Sequence, residues 1–403
     1  GSNVNAVDNS GSSAAGKAIE SANFSAFKIL MGNGLNINYI EKGTTPLLLY
    51  AYRNSQKLIA GELMKAGADI SAKDSDGNSL LHVLAEKNDS QLYKSMLSYN
   101  LNLNLKNIKG QTPLFTAIEK GNFSFAQILM NEKEKMDPAV KDSSGMSAMH
   151  YLASMKGGDK LLASDTLASV SVTDKDAAGR TPLAIAVHSG LTANAVYFLG
   201  RGADAAGDDW NGVKLALVGY DRSKAMLNLL LDKGADPEST APNGITLLHM
   251  GIEKKDAETV KLLVQKGVNI NKQYRNGSYP LLHAIYKGNA AVIQFLIQSG
   301  ADTNVKDSSG VTPLVAAVES KDLKTAEFLV KGGADVNAVN NKGKALILVS
   351  YETNRIDVFN LLISGGAKAN SLFDGNTLLH MAASANRISF ITSLIKGGAD
   401  LNA

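Results

Sequence analysis

Asp307-Ser308-Ser309-Gly310-Val311-Thr312-Pro313-Leu314 opens a stretch that closes with Gly332-Gly333-Ala334-Asp335-Val336-Asn337-Ala338. The first four residues read as a turn, with Asp leading and Gly last. Thr312 is placed to cap a helix with its hydroxyl. Pro313 suits the first helical position, because the N–H it lacks would have no intrahelical partner there. Leu314, Ala317 and Val318 recur at helical spacing, and the small Ala316 and Ala317 leave room for a close neighbour. A break at Ser320 to Asp322 precedes a second helix with Ala326, Phe328, Leu329 and Val330 as its apolar positions. Gly332-Gly333 ends it, since glycine accepts the left-handed conformation that follows a helix C-terminus. Asp335 to Ala338 alternates like a short extended arm.

Working outward, the glycine two residues before each Thr-Pro-Leu-like tripeptide recurs twelve times: Gly11, Gly43, Gly77, Gly110, Gly145, Gly179, Gly212, Gly244, Gly277, Gly310, Gly343 and Gly375. Successive gaps run from 32 to 35 residues. A fixed period of this size is the signature of a stacked array, and it overrides the expectation that 403 residues divide into several globular domains. Thr45-Pro46-Leu47, Thr112-Pro113-Leu114, Thr181-Pro182-Leu183 and Thr312-Pro313-Leu314 recur. So do Gly67-Ala68-Asp69, Gly202-Ala203-Asp204, Gly234-Ala235-Asp236, Gly300-Ala301-Asp302, Gly333-Ala334-Asp335 and Gly398-Ala399-Asp400.

With these signatures the chain resembles the ankyrin-repeat family over essentially its whole length. The resemblance implies an all-α solenoid of helix-turn-helix repeats joined by β-hairpin-like turns. It is expected as one continuous array over residues 1–403, forming a curved, elongated rod on the order of 100 Å long. It also implies a concave groove of hairpin turns and first helices as the binding surface. Gly1 to Ala6 aligns with Gly398 to Ala403, so the chain starts and stops at the same point of the repeat. This phase fits an array cut from a longer protein, or one whose flanking caps are missing.

The helix-ending glycine is replaced by Asn100, Lys135 and Ser169 in the third, fourth and fifth repeats. The fifth also has Gly157-Gly158 and a thin apolar face of Leu161, Leu162 and Leu167. Residues 131–176 therefore read as a weak seam. The seventh repeat replaces the Thr-Pro-Leu tripeptide with Val213-Lys214-Leu215-Ala216-Leu217.

Composition narrows function. Basic residues number 41 and acidic ones 38, interspersed, for a net charge of +3. A phosphate-backbone binder shows a basic stripe, so nucleic acid is not expected as a partner. No apolar run is long enough to span a membrane. Cysteine is absent, which removes disulfides and thiolate sites and leans toward an exported bacterial protein. Gly11 to Ala18 approaches a phosphate loop, but Ala18 stands where that motif needs a magnesium-holding hydroxyl, and the segment falls in a turn-helix slot. No cofactor is expected.

Six histidines are present. His82, His150, His249 and His380 fill the slot three residues after the Thr position, where the resemblance implies a loop-bracing role. His283 is one position off, and His188 lies at the end of a first helix. Lying in different repeats, they show neither metal-ligand nor catalytic spacing. Glu86-Lys87, Glu119-Lys120 and Glu253-Lys254 read as a solvated, mixed-charge groove wall. Asn-x-Ser sequons begin at Asn23, Asn88, Asn122 and Asn276 and matter only in a glycosylating host.

No catalytic, cofactor-binding or metal-binding set is therefore singled out. The expected function is a non-enzymatic scaffold, monomeric, binding another protein. The rival readings are a recognition arm of a longer enzyme and a structural spacer. Two residues before the marker glycines stand Asn9, Glu41, Ser75, Ile108, Ser143, Ala177, Trp210, Pro242, Arg275, Ser308, Asn341 and Phe373, most of them small or polar. Trp210, Arg275 and Phe373 are the exceptions, of the types that dominate interface energetics. Tyr274 and Leu372 precede two of them, and Tyr286 ends a first helix nearby. Trp210, Tyr274, Arg275, Tyr286 and Phe373 are the expected partner-binding residues.

Overall fold

The computed structural model describes residues 3–99, 101–275 and 277–402. Asn100, the sequon residue Asn276 and the Gly1-Ser2 start lie outside the described residues. Among the described residues, each of the twelve sequence repeats supplies a pair of helices. The tenth is typical, with helices Pro313–Glu319 and Leu323–Lys331. Thr312 Oγ1 accepts the Val315 N–H at 3.3 Å, and Pro313 is the first helical residue.

The two helices of a repeat are buried differently. Pro313–Glu319 buries Pro313, Leu314, Val315, Ala316, Ala317 and Val318, close to its whole circumference. Leu323–Lys331 buries only Thr325, Ala326 and Leu329, with Phe328 and Val330 half-buried. Leu80–Lys87 is flanked by the first helices Leu47–Arg53 and Pro113–Glu119. In the tenth repeat the first helix is thus close to fully buried, and the second is amphipathic. Short antiparallel pairs, Ile40–Glu41 with Thr45–Pro46 and Leu372–Phe373 with Asn376–Thr377, form two of the hairpin turns.

At Gly77 and Gly110 the marker glycine is required twice over. Its φ is positive, +76° at Gly77 and +73° at Gly110. The next hairpin also presses against it: a Cβ at Gly77 would lie 2.7 Å from Ile108 N, and one at Gly110 would lie 2.5 Å from Ser143 N. Those amides, with their counterparts in two neighbouring hairpins, donate back to the preceding hairpin. Ser75 N–H donates to Thr44 O, Ile108 N–H to Asp76 O, Ser143 N–H to Lys109 O and Ala177 N–H to Ser144 O. The extended arms connect in a similar way. Asn304 Oδ1 accepts the Asp335 N–H, thirty-one residues on.

Where glycine is missing at the end of the second helix, the backbone takes another path. Neither Lys135 nor Ser169 has positive φ. In the fifth repeat the second helix shrinks to Asp159–Leu162 and a 3-10 turn at Asp165–Leu167, and Leu161, Leu162 and Leu167 are all buried. A second left-handed position, between the two helices, carries no uniform residue. It is held by Gly121, Gly190 and Gly288, but also by Ala22, Ser55, Asn88, Lys255, Lys321, Asn354 and Asn386. The chain separates into two compact units, Gly1–Lys233 and Gly234–Ala403.

Candidate functional site

Most of the hairpin turns are built on a leading Asp or Asn. In the tenth repeat Asp307 O accepts the Gly310 N–H, and Asp307 Oδ1 accepts the Ser309 and Val311 N–H groups at 2.9 Å each. Asp74, Asp142, Asp176 and Asp209 do the same. A turn fixed in this way has to turn its next side chain outward, and that side chain is the tip.

In the first compact unit the tips include Ile108, 68% exposed, and Trp210, 37% exposed. Trp210 is not free-standing. Its ring lies 4.2 Å from that of His188, whose Nε2 contacts Asp209 Oδ2 at 2.8 Å. Burial opposes ionisation of Asp209, yet the Val213 N–H and His188 hold its carboxyl below the usual range. Beside Ile108 a depression of about 330 Å³ is lined by Arg53, Glu86, Gln111, Glu119 and Lys120. Lys120 Nζ reaches Glu86 across the repeat boundary at 3.6 Å, and Gln111 Nε2 donates to Glu119.

In the second unit Arg275 is exposed but folds back on the preceding hairpin. Its Nη1 donates to Pro242 O at 2.7 Å, and its stem covers Gly244. Tyr286 is 56% exposed and donates to Asp307 Oδ2 at 3.1 Å. Phe373 is half-buried while its neighbour Leu372 is 68% exposed, because the two-residue pairing alternates their faces. Tyr274 stands in the slot of the leading Asp and is buried, stacked on His249 with ring centroids 4.4 Å apart.

The histidines divide. His82 Nδ1 accepts from Ser79 N–H and hydroxyl, so its Nε2 carries the proton and donates to Gln111 O at 2.9 Å, bracing the next hairpin. His150 repeats this with Ser147 and Arg180 O. Burial lowers the pKa of both.

A family model described as ankyrin repeats in three copies matches residues 81–160, 214–307, 248–340 and 314–403, more than half of the chain. The chain belongs to the ankyrin-repeat family. It is 30% identical over 167 residues to the nuclear factor NF-kappa-B p105 subunit of Gallus gallus, covering 40% of this chain and 16% of that protein. It is 35% identical over 79 residues to the ADP-ribosylation factor GTPase-activating protein AGD4 of Arabidopsis thaliana, 20% of this chain and 10% of that one. A putative ankyrin repeat protein of Rickettsia felis is 26% identical over 132 residues, 29% of this chain and 58% of the relative. The chain thus spans well under two thirds of each.

Two of the ankyrin histidine assignments need correction. His380 bonds Thr377, within its own repeat. His249 does not brace a hairpin. With Tyr274 in place of Asp, the next turn brings an aromatic ring where the accepting carbonyl would be reached, and His249 stacks on it instead. Its Nδ1 is buried without a hydrogen-bond partner, as is that of His283. His249, Glu253 and His283 converge, their ligand atoms all within 4.8 Å of one another. Sequence reasoning set these histidines apart because they lie in different repeats. It missed that helix geometry puts Glu253 one turn beyond His249 and that stacking puts His283 beside both. It also passed over Ile108, whose exposure follows from its tip slot.

Proposed function

We propose that this chain binds a partner protein through the face made by its hairpin tips and first helices. As an ankyrin-repeat protein it is an interaction module, and relatives of this kind are characteristically non-catalytic. The observation that carries the finer reading is the exposed Ile108 beside a depression rimmed by Arg53, Glu86 and Lys120. An apolar anchor set against a polar rim is the anatomy of a protein interface. Trp210 on the first unit, and Arg275, Tyr286 and Phe373 with Leu372 on the second, extend the proposal. Tyr274 supports it only from beneath, as packing.

The test is affinity capture with the whole chain from its source organism, followed by Ile108→Asp and Trp210→Ala. Each should weaken capture of the identified partner by about 2 kcal/mol or more, with little change in melting temperature. Ser75→Ala, an exposed tip in the same slot, is the control. Loss of stability with capture intact would make these side chains packing residues. A second reading, a recognition arm of a longer enzyme, is supported by the small share of the GTPase-activating relative that the chain covers. The full-length gene decides it.

A further inference from the structure

We propose that His249, Glu253 and His283 form a binding site for a divalent transition-metal ion of the zinc class, clasping the eighth and ninth repeats together. His249 and Glu253 sit four residues apart on the helix Leu247–Glu253, so both project from one face. His283 comes from the helix Pro280–Lys287, packed alongside. Its Nε2 lies 2.7 Å from Glu253 Oε1, and His249 Nε2 lies 4.0 Å from the same oxygen. The two imidazole rings meet edge to face, with centroids 4.2 Å apart.

Two observations favour a cation here. The donor set, two imidazoles and a carboxylate, is one that holds zinc at a site with an open position. Both histidine side chains are largely buried with Nε2 turned to Glu253, and no hydrogen bond at Nδ1 ties either ring to another partner. Lys287 Nζ now neutralises Glu253 Oε2 at 2.8 Å and is exposed enough to swing away. Zinc at about 2.0–2.2 Å from each ligand sets donor atoms roughly 3.3 Å apart, so His249 draws in and the His283–Glu253 pair opens slightly, both by side-chain rotation.

The site lies on first helices of adjacent repeats, so the ion would bind the folded stack and not the unfolded chain, raising stability by mass action. The experiment is titration of the chelator-treated full chain with zinc chloride, followed by calorimetry and thermal melting, with cobalt(II) absorption as a second probe. One equivalent should bind, the melting temperature should rise, and cobalt should give the visible bands of a low-coordinate site. His249→Gln and His283→Gln should each weaken binding at least about 10-fold, since even residues behind the ligands cost that much. Glu253→Gln, at a side chain 42% exposed, guards against misfolded histidine variants and should weaken binding likewise. His188→Gln should leave it unchanged. No heat and no melting shift with zinc at about ten times the protein concentration would overturn the proposal. So would undiminished binding in the Glu253→Gln chain and the folded histidine variants.

Discussion

Asn304 Oδ1 accepts the backbone N–H of Asp335 at 2.7 Å, while its Nδ2 donates to Gly333 O at 3.1 Å. The same rung recurs through the second compact unit: Glu238 to Asn269, Asn271 to Asp302, Asn337 to Lys368 and Asn370 to Asp400. Asn304→Ala removes both bonds of one rung. Stability should fall by about 1–2 kcal/mol, read as a lower urea midpoint at unchanged slope.

Lys321 and Ser169 should answer a glycine substitution with opposite signs. Lys321 is exposed and has φ 61°, which costs a side chain about 1–2 kcal/mol. Lys321→Gly should therefore stabilise by about 0.5–1 kcal/mol after the added unfolded-state entropy. Ser169 lacks positive φ, so Ser169→Gly should destabilise by about 0.5–1 kcal/mol. Hydrogen exchange, among internal repeats, should be fastest over residues 131–176.

Alanine scanning of glycines gives a matched pair. Gly61 lies inside the helix Lys57–Lys65 with nothing within 4 Å of a built Cβ. Gly61→Ala should stabilise by up to about 1 kcal/mol. Gly110→Ala meets both the left-handed backbone and the Ser143 amide, and should cost at least about 2 kcal/mol in thermal or urea unfolding.

Stability should depend on pH through His82 and His150. Burial lowers both below their ordinary value of 6.5. Below about pH 6.5 the unfolded chain binds protons that the folded chain refuses. Their contribution is thus complete above that pH and is lost as pH falls through it, at no more than about 1.4 kcal/mol per pH unit for each. Urea midpoints measured down to about pH 5 should show the decline, and His82→Gln with His150→Gln should make it shallower, leaving the part due to His249 and His283, which burial also lowers.

The ankyrin repeats were legible because every marker glycine has positive φ, and some, such as Gly77 and Gly110, also have the next hairpin pressing on them. The break between the helices was not legible, since Ala22, Ser55 and Lys255 adopt the left-handed conformation there at a tolerable cost. The tip slot told which side chains point outward, yet not which fold back. Arg275 is pinned by Pro242 O and Trp210 leans on His188, contacts made with another repeat. The His249–Glu253–His283 cluster was hidden for the same reason, because a separation of 34 residues becomes adjacency only once the helices stack.

The bonds between hairpins, Ile108 N–H to Asp76 O and Ser143 N–H to Lys109 O, each reach one repeat and no further. An internal deletion of one whole period would therefore bring together hairpins of the same kind, and a duplication would do the same. Unequal recombination within such a gene can alter the length of its product in whole repeats while the repeat phase is kept. The tips can then be reshuffled as a set of interchangeable parts.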